Sequence, residues 1–269
     1  MLGASRDSMS ALTTVLQDRR SDAGIVGLAG DLQQVADLLG REKTLRSALA
    51  DSGQPSAARR AIAEQVLGGR VGALAVDLTV AAVGLRWSHD DDLVIALETL
   101  GAQAAFIAAQ DDGTLDATEE EIFRFGRAVE ASPELQMALT DPAQTAQAKA
   151  NLVADLLRDR ATAATLTVIG YAVGHLHGRR IDAVLADLAD LAAEQRRRVV
   201  AVVRVASPLD AEQERRMTAA LSRLTGREVR LNVAVDPEVL GGAHVTVGDE
   251  VIDGTVASRL EQARRTLLG

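Results

Sequence analysis

LRSALADSGQPSAARRAIAEQVLGGRVGALAVDLTVAAVG (Leu45–Gly84) stands 90 residues ahead of LQMALTDPAQTAQAKANLVADLLRDRATAATLTVIGYAVG (Leu135–Gly174), and the two stretches align without a gap. Twelve of the 40 positions are identical, among them Leu49/Leu139, Asp51/Asp141, Leu67/Leu157, Arg70/Arg160 and the closing pairs Ala82/Ala172, Val83/Val173 and Gly84/Gly174. Ile62/Leu152, Val66/Leu156 and Arg59/Lys149 keep their chemical character. Self-similarity at a fixed period marks a duplicated structural unit, and the ungapped run favours duplication over chance likeness of two Ala-rich stretches.

Each copy reads as helices. Leu32, Val35, Ala36, Leu38 and Leu39 recur near helical spacing, and Ile62, Val66, Leu67 and Leu74 continue the pattern. Ala50 to Ser56 and Thr140-Asp141-Pro142 carry the turn residues that separate one helix from the next. Ser88-His89-Asp90-Asp91-Asp92 offers an N-cap hydroxyl and three carboxylates to the positive end of a long helix running from about Asp92 to Gln110. That helix ends near Asp111-Asp112-Gly113, the expected joint between copies. The second copy then opens at Thr118-Glu119-Glu120-Glu121, with Ile122, Phe125 and Val129 on one face.

The pattern changes after Arg196-Arg197-Arg198. Val199 to Val205 is short and rich in β-branched residues, as a buried strand is. Ser207 and Pro208 suit the start of a helix with Met217, Ala220, Leu221 and Leu224 on one stripe, and Gly226 suits its end. Val229, Leu231, Val233 and Val235 alternate with other residues, giving a second strand and hence a βαβ unit. Ala243, Val245 and Val247 alternate again before Gly248-Asp249-Glu250 turns the chain into Val251-Ile252, and Ala257 to Leu268 reads as a final helix. The expected fold is mainly α: a first helical copy over 1–112, a partial second copy over 113–196, and a small α/β domain over 197–269.

The 269 residues are 47% apolar and 25% charged, enough to bury a sizeable core. A net charge of −9 and an aromatic content of 2% argue against nucleic acid, which calls for a basic face and stacking rings. With zero Cys there are no disulfides, thiolate metal sites or cysteine nucleophiles. Met1 to Asp7 lacks the basic and apolar regions of a secretory signal, so a cytosolic location is expected. The most apolar long stretch, Val71 to Leu85, contains Asp77 and is short for a bilayer span.

Enzyme motifs are missing. No glycine precedes Lys-Ser or Lys-Thr, and no Gly-x-Gly-x-x-Gly follows a strand, so neither phosphate-cradling loop is present. His175 and His177, two apart, would point about 200° apart on a helix and could not share a metal. His89 and His244 have no Ser or Cys partner in a nucleophile motif. No catalytic residue, cofactor or metal site is expected.

Val235 to Leu260 carries, in order, a diglycine (Gly241, Gly242), an alternating strand, Gly248-Asp249, Ile252-Asp253-Gly254 and the start of a helix at Leu260. This run closely resembles the C-terminal signature of the delta subunit of F-type ATP synthases, similar to the mitochondrial oligomycin-sensitivity-conferring protein. Ala4-Ser5-Arg6 also looks like the family's opening, with Asp7 where an aromatic residue is usual. Physically, Gly241, Gly242, Gly248 and Gly254 suit turns and sheet edges, and Asp253 is a turn former. Family members are usually near two-thirds of this length, so the resemblance implies an actinobacterial-type long form whose helical bundle is partly duplicated. It also implies a peripheral-stalk role without catalysis. The helical part would receive N-terminal helices of the alpha subunit and the C-terminal domain would meet b-type stalk subunits. Membrane association would come only through the complex, at the cytoplasmic face. The competing reading is a free-standing helical scaffold or adaptor.

Overall fold

The 90-residue offset of the sequence repeat is also the offset between helices. In the computed structural model, which describes residues 3–158, 160–225, 228–236, 242–247 and 250–253, five helices α1 (Ala4–Asp18), α2 (Ile25–Arg41), α3 (Lys43–Ala50), α4 (Ser56–Leu67) and α5 (Ala73–Gly84) lead into α6 (Asp90–Asp111). Then α7 (Leu115–Ala131), α8 (Pro133–Thr140), α9 (Ala146–Leu157) and α10 (Ala163–Ala172) each begin 90 residues after α2, α3, α4 and α5. The same shift carries α1 onto residues 94–108, inside α6, and carries α6 onto α11 (Ile181–Arg197). Thus α6 closes the first copy and opens the second. The fold is mainly α with an internal duplication, followed by a small α/β unit, and the chain divides compactly into Met1–Gln195 and Arg196–Gly269.

Serving two copies dictates the composition of α6. Leu93, Val94, Leu97, Leu100, Ala104, Phe106 and Ile107 are all buried, covering more than one face of the helix. At the shifted positions α11 has Asp187, Asp190, Glu194, Arg196 and Arg197 in place of Leu97, Leu100, Ala104, Phe106 and Ile107, because it needs only one apolar stripe. Among the described residues α6, rather than Val71–Leu85, is the helix long and apolar enough to cross a membrane; 72% of its most apolar window is buried within the protein, as in a core helix.

In the first copy α2 lies against α6 at Gly101, where an added Cβ would meet the carbonyl oxygen of Ala29 at 3.4 Å. The second copy has Leu191 at that place. Arg59, 4% exposed, donates from Nη1 to the carbonyls of Leu49 (3.4 Å) and Leu85 (3.1 Å), the C-terminal ends of α3 and α5, where a cation suits the helix dipole. The second copy instead caps its helices with hydroxyls: Ser132, Thr145 and Thr162 accept from the amides of Leu135, Ala148 and Thr165. The first-copy counterparts Glu42, Pro55 and Gly72 cap nothing with their own side chains. One device is common to both: a carboxylate of α2 or α7 accepts from the N-terminus of α5 or α10, Asp31 from Gly72 N (2.9 Å) and Glu121 from Thr162 N (2.8 Å).

Several local expectations change. Ser88 does not cap α6. His89 holds the N-cap position without a side-chain bond, while Asp90 and Asp91 pair with Arg46, and Asp92 accepts from the Ser5 hydroxyl at 2.7 Å. The Asp90 carboxyl is held below its ordinary range by the Ser47 hydroxyl and then by Arg46. The second copy's first separate helix begins at Leu115 rather than Thr118. Ile62 is 39% exposed, off the buried stripe.

In the second unit β1 (Arg198–Val205) pairs in parallel with β2 (Glu228–Val235) and antiparallel with β3 (Ala243–Val247), which pairs antiparallel with β4 (Glu250–Asp253). The order is β2-β1-β3-β4. Parallel β1 and β2 require a crossover, supplied by α12 (Ala211–Thr225). Ala201, Val203 and Val205 are buried and Arg204 is exposed, so β1 buries one face, with Val229, Val245 and Leu221 completing the core. Helix α12 starts later than Ser207: Asp210 accepts from the amides of Glu212 (2.9 Å) and Gln213 (2.8 Å), and Gln213 accepts from Asp210 N (2.9 Å), a capping box. Leu224 is exposed, not part of the buried stripe. Gly226 and the expected helix over 257–268 lie outside the described residues.

Candidate functional site

Three helices of the second copy each turn one face toward a common cleft, which Met9 of α1 and Gln33 of α2 also line. Ile95, Glu98, Thr99 and Ala102 come from α6, Val168, Tyr171, Ala172 and His175 from α10 and the turn after it, and Val184, Asp187, Leu188 and Leu191 from α11. The α6 and α11 sets have the i, i+3, i+4, i+7 spacing that puts four side chains on one helical face, and Val168, Tyr171 and Ala172 share a face of α10. The space between them is about 690 Å³, with an apolar floor and carboxylates on its rim. In the first copy the corresponding place is filled by Leu12, Leu78 and Leu97, none more than 1% exposed. Ala102 stands where that copy has Leu12, and Asp187 where it has Leu97. The second copy thus carries a smaller side chain at one of these places and an exposed carboxylate at another.

One wall is polar and bridges the copies. The Tyr171 hydroxyl donates to Asp37 Oδ1 of α2 at 3.0 Å and lies 3.4 Å from Glu98 Oε1. His177 Nε2 sits 2.9 and 2.8 Å from the two Glu98 oxygens. The His175 ring stacks on Tyr171 (centroids 3.9 Å, 11° between planes), with Nε2 3.0 Å from Asp37 Oδ1. Burial, then the charges of Glu98 and Asp37, push the Tyr171 hydroxyl far above its ordinary range, so it remains a donor. The hydrogen bond to Glu98 raises His177, helped by the charges of Glu98 and Asp91 and opposed by burial and Arg179.

The two histidines are not on a helix: both follow α10 in a turn, where His177 adopts a left-handed φ of 50°. Among the described residues no group of three or more His, Asp or Glu side chains is arranged to hold a metal. Spacing within the sequence did not single out Asp37, Glu98 or Tyr171.

Of the C-terminal motif, Gly242 has φ 81°, the left-handed conformation that glycine tolerates, and Asp253 ends β4 opposite His244. Gly241, Gly248, Asp249, Gly254 and Leu260 lie outside the described residues.

The family model described as ATP synthase delta (OSCP) subunit matches residues 101–267. It begins within α6, where the second copy begins. The chain is 46% identical to the ATP synthase subunit delta of Streptomyces avermitilis, covering 98% of each. It is 45% identical to that of Parafrankia sp., covering 99% of each. A chain in the mitochondrial ATP synthase hexamer of Toxoplasma gondii is 23% identical, with 62% of this chain and 95% of that one covered, at a TM-score of 0.27, too low to inform the fold.

Proposed function

This chain belongs to the ATP synthase delta (OSCP) subunit family and is a peripheral-stalk component of the F-type enzyme, and from that premise we propose how its parts share the work. The family is a structural one, part of a membrane-associated complex. The chain catalyses nothing itself; it ties the catalytic head to the b-type stalk so that the head stays still while the central shaft turns. Its site is the cytoplasmic face of the cell membrane, reached through the complex alone.

The observation that carries this reading is the cleft of α6, α10 and α11. Its floor of Ile95, Ala102, Val168, Leu188 and Leu191 suits the apolar stripe of an amphipathic helix, and the exposed Asp190 suits a basic side chain at that helix's flank. The occupant proposed is the N-terminal helix of an alpha subunit. The α/β unit takes the b-type subunits; Leu224 and Val235, 67% and 52% exposed, are apolar surface available for that contact. As working parts the chain divides into 1–112, 113–196 and 197–269, and the extra copy stiffens the arm, because continuous α6 carries load from one copy to the next.

The test is titration of the full-length protein with a synthetic alpha N-terminal peptide. Saturable micromolar binding, weakened at least about tenfold by Ala102→Trp, supports the reading, since the indole fills the floor. No binding at high micromolar concentration, or equal binding by the Trp variant, overturns the cleft as the site. Copurification with the alpha, beta and b-type subunits tests the stator role separately.

A further inference from the structure

The polar wall between the copies is built around proton-bearing groups, and its geometry works for one protonation state. Both ring nitrogens of His175 face acceptors: Nδ1 lies 2.8 Å from the Tyr171 carbonyl oxygen and Nε2 lies 3.0 Å from the Asp37 carboxylate. These contacts tie the turn after α10 to α2. His177 sets one nitrogen against both oxygens of Glu98, a carboxylate whose side chain is 13% exposed. To get there its backbone takes a left-handed φ of 50°, unfavourable for a residue with a Cβ, and Gly178 follows at 74°. Strain of this kind persists where a contact holds it.

We propose that Asp37, Glu98, Tyr171, His175 and His177 form a proton-dependent clasp between the first helical copy and the second, closed when the His177 imidazole carries charge and loosened when it loses it. Asp37 belongs to α2, Glu98 to α6, which the copies share, and the other three to the end of α10 and the turn beyond. With His177 protonated, its cation faces both oxygens of the Glu98 carboxylate. With His177 neutral, Asp37 and Glu98 confront each other across the Tyr171 hydroxyl, which has one proton to donate. The remaining charges nearby do not reverse this: Asp91 reinforces the cation at His177, while Arg179, which opposes it, is engaged by Asp187 at 2.5 Å.

The direction in pH follows. A histidine raised by its folded partner contributes stability that is full below the ordinary histidine value and lost as pH climbs through the raised one. Neutral to mildly alkaline conditions therefore open the clasp and free one wall of the cleft. The inference concerns the joint between copies and holds whatever occupies the cleft.

The experiment is hydrogen exchange on the full-length protein at about pH 6 and about pH 8.5, corrected for intrinsic rates. Expected is a loss of protection of about tenfold in residues 173–180 at the higher pH, with the α2 and α6 core unchanged. Glu98→Gln and His177→Gln should show the low protection at both values. Equal protection of the unmodified chain at both pH values, or an undiminished pH response in both variants, overturns the clasp. Should a variant fail to fold, the histidine resonances of the unmodified chain decide. A His177 midpoint above the ordinary value supports the clasp, and one at or below it overturns it.

Discussion

The two helical copies share a helix plan and a spacing, yet different forces hold them together. The first copy relies on close packing: Gly101 lets α2 lie against α6, Leu12, Leu78 and Leu97 fill the interior, and a buried Arg59 gathers two helix ends. The second copy relies on hydroxyl caps, a carboxylate–threonine cluster around Glu121, and a charged wall, and it leaves a cleft of about 690 Å³. Duplication supplied the same helices twice, and a handful of substitutions assigned one copy to stability and the other to an open surface.

This division can be broken by exchanging residues between equivalent positions. Intrinsic probes separate the copies, since the chain has one tryptophan, Trp87 in the first, and one tyrosine, Tyr171 in the second. The largest effect is expected for Leu100→Asp, which puts the residue of position 190 into a fully buried site and should cost about 4 kcal/mol or more. The reciprocal Asp190→Leu should stay within about 0.5 kcal/mol, as for an exposed site. Urea unfolding followed by Trp87 fluorescence measures both, and equal costs would erase the distinction. Gly101→Leu, the residue the second copy carries, should cost about 3 kcal/mol, since the side chain must displace α2. Arg59→Met strands two helix-end carbonyls and should cost about 2 kcal/mol, whereas Lys149→Met at the equivalent half-buried place should cost under about 0.5 kcal/mol. Among the destabilising exchanges the mildest is Thr145→Ala, which should cost about 1 kcal/mol of lost capping, read by Tyr171 fluorescence.

Much of this architecture was legible from local signals. Turn residues and the ungapped repeat located the helices between Leu45 and Gly84 and their counterparts, and strand alternation located the βαβ unit. The counterpart of α1 was hidden for a physical reason. A helix that serves both copies buries more than one face, so the single stripe and the identities that would have matched it to α1 are overwritten. Caps failed where a nearer competitor existed: Ser207 has the right chemistry, but Asp210 and Gln213 complete a reciprocal pair. The cleft wall was not legible, because Tyr171 meets Asp37 across 134 positions and Glu98 across 73, distances over which no periodicity operates.

Because one rod serves as the last post of one span and the first of the next, such a molecule lengthens like a fence. Each further bay would add 90 residues and five helices rather than six. Neither bay can be cut out cleanly, for the excision takes its neighbour's post as well. Evolution could therefore extend this arm by whole increments without inventing a new joint, which sets a quantum for the reach of any longer relative.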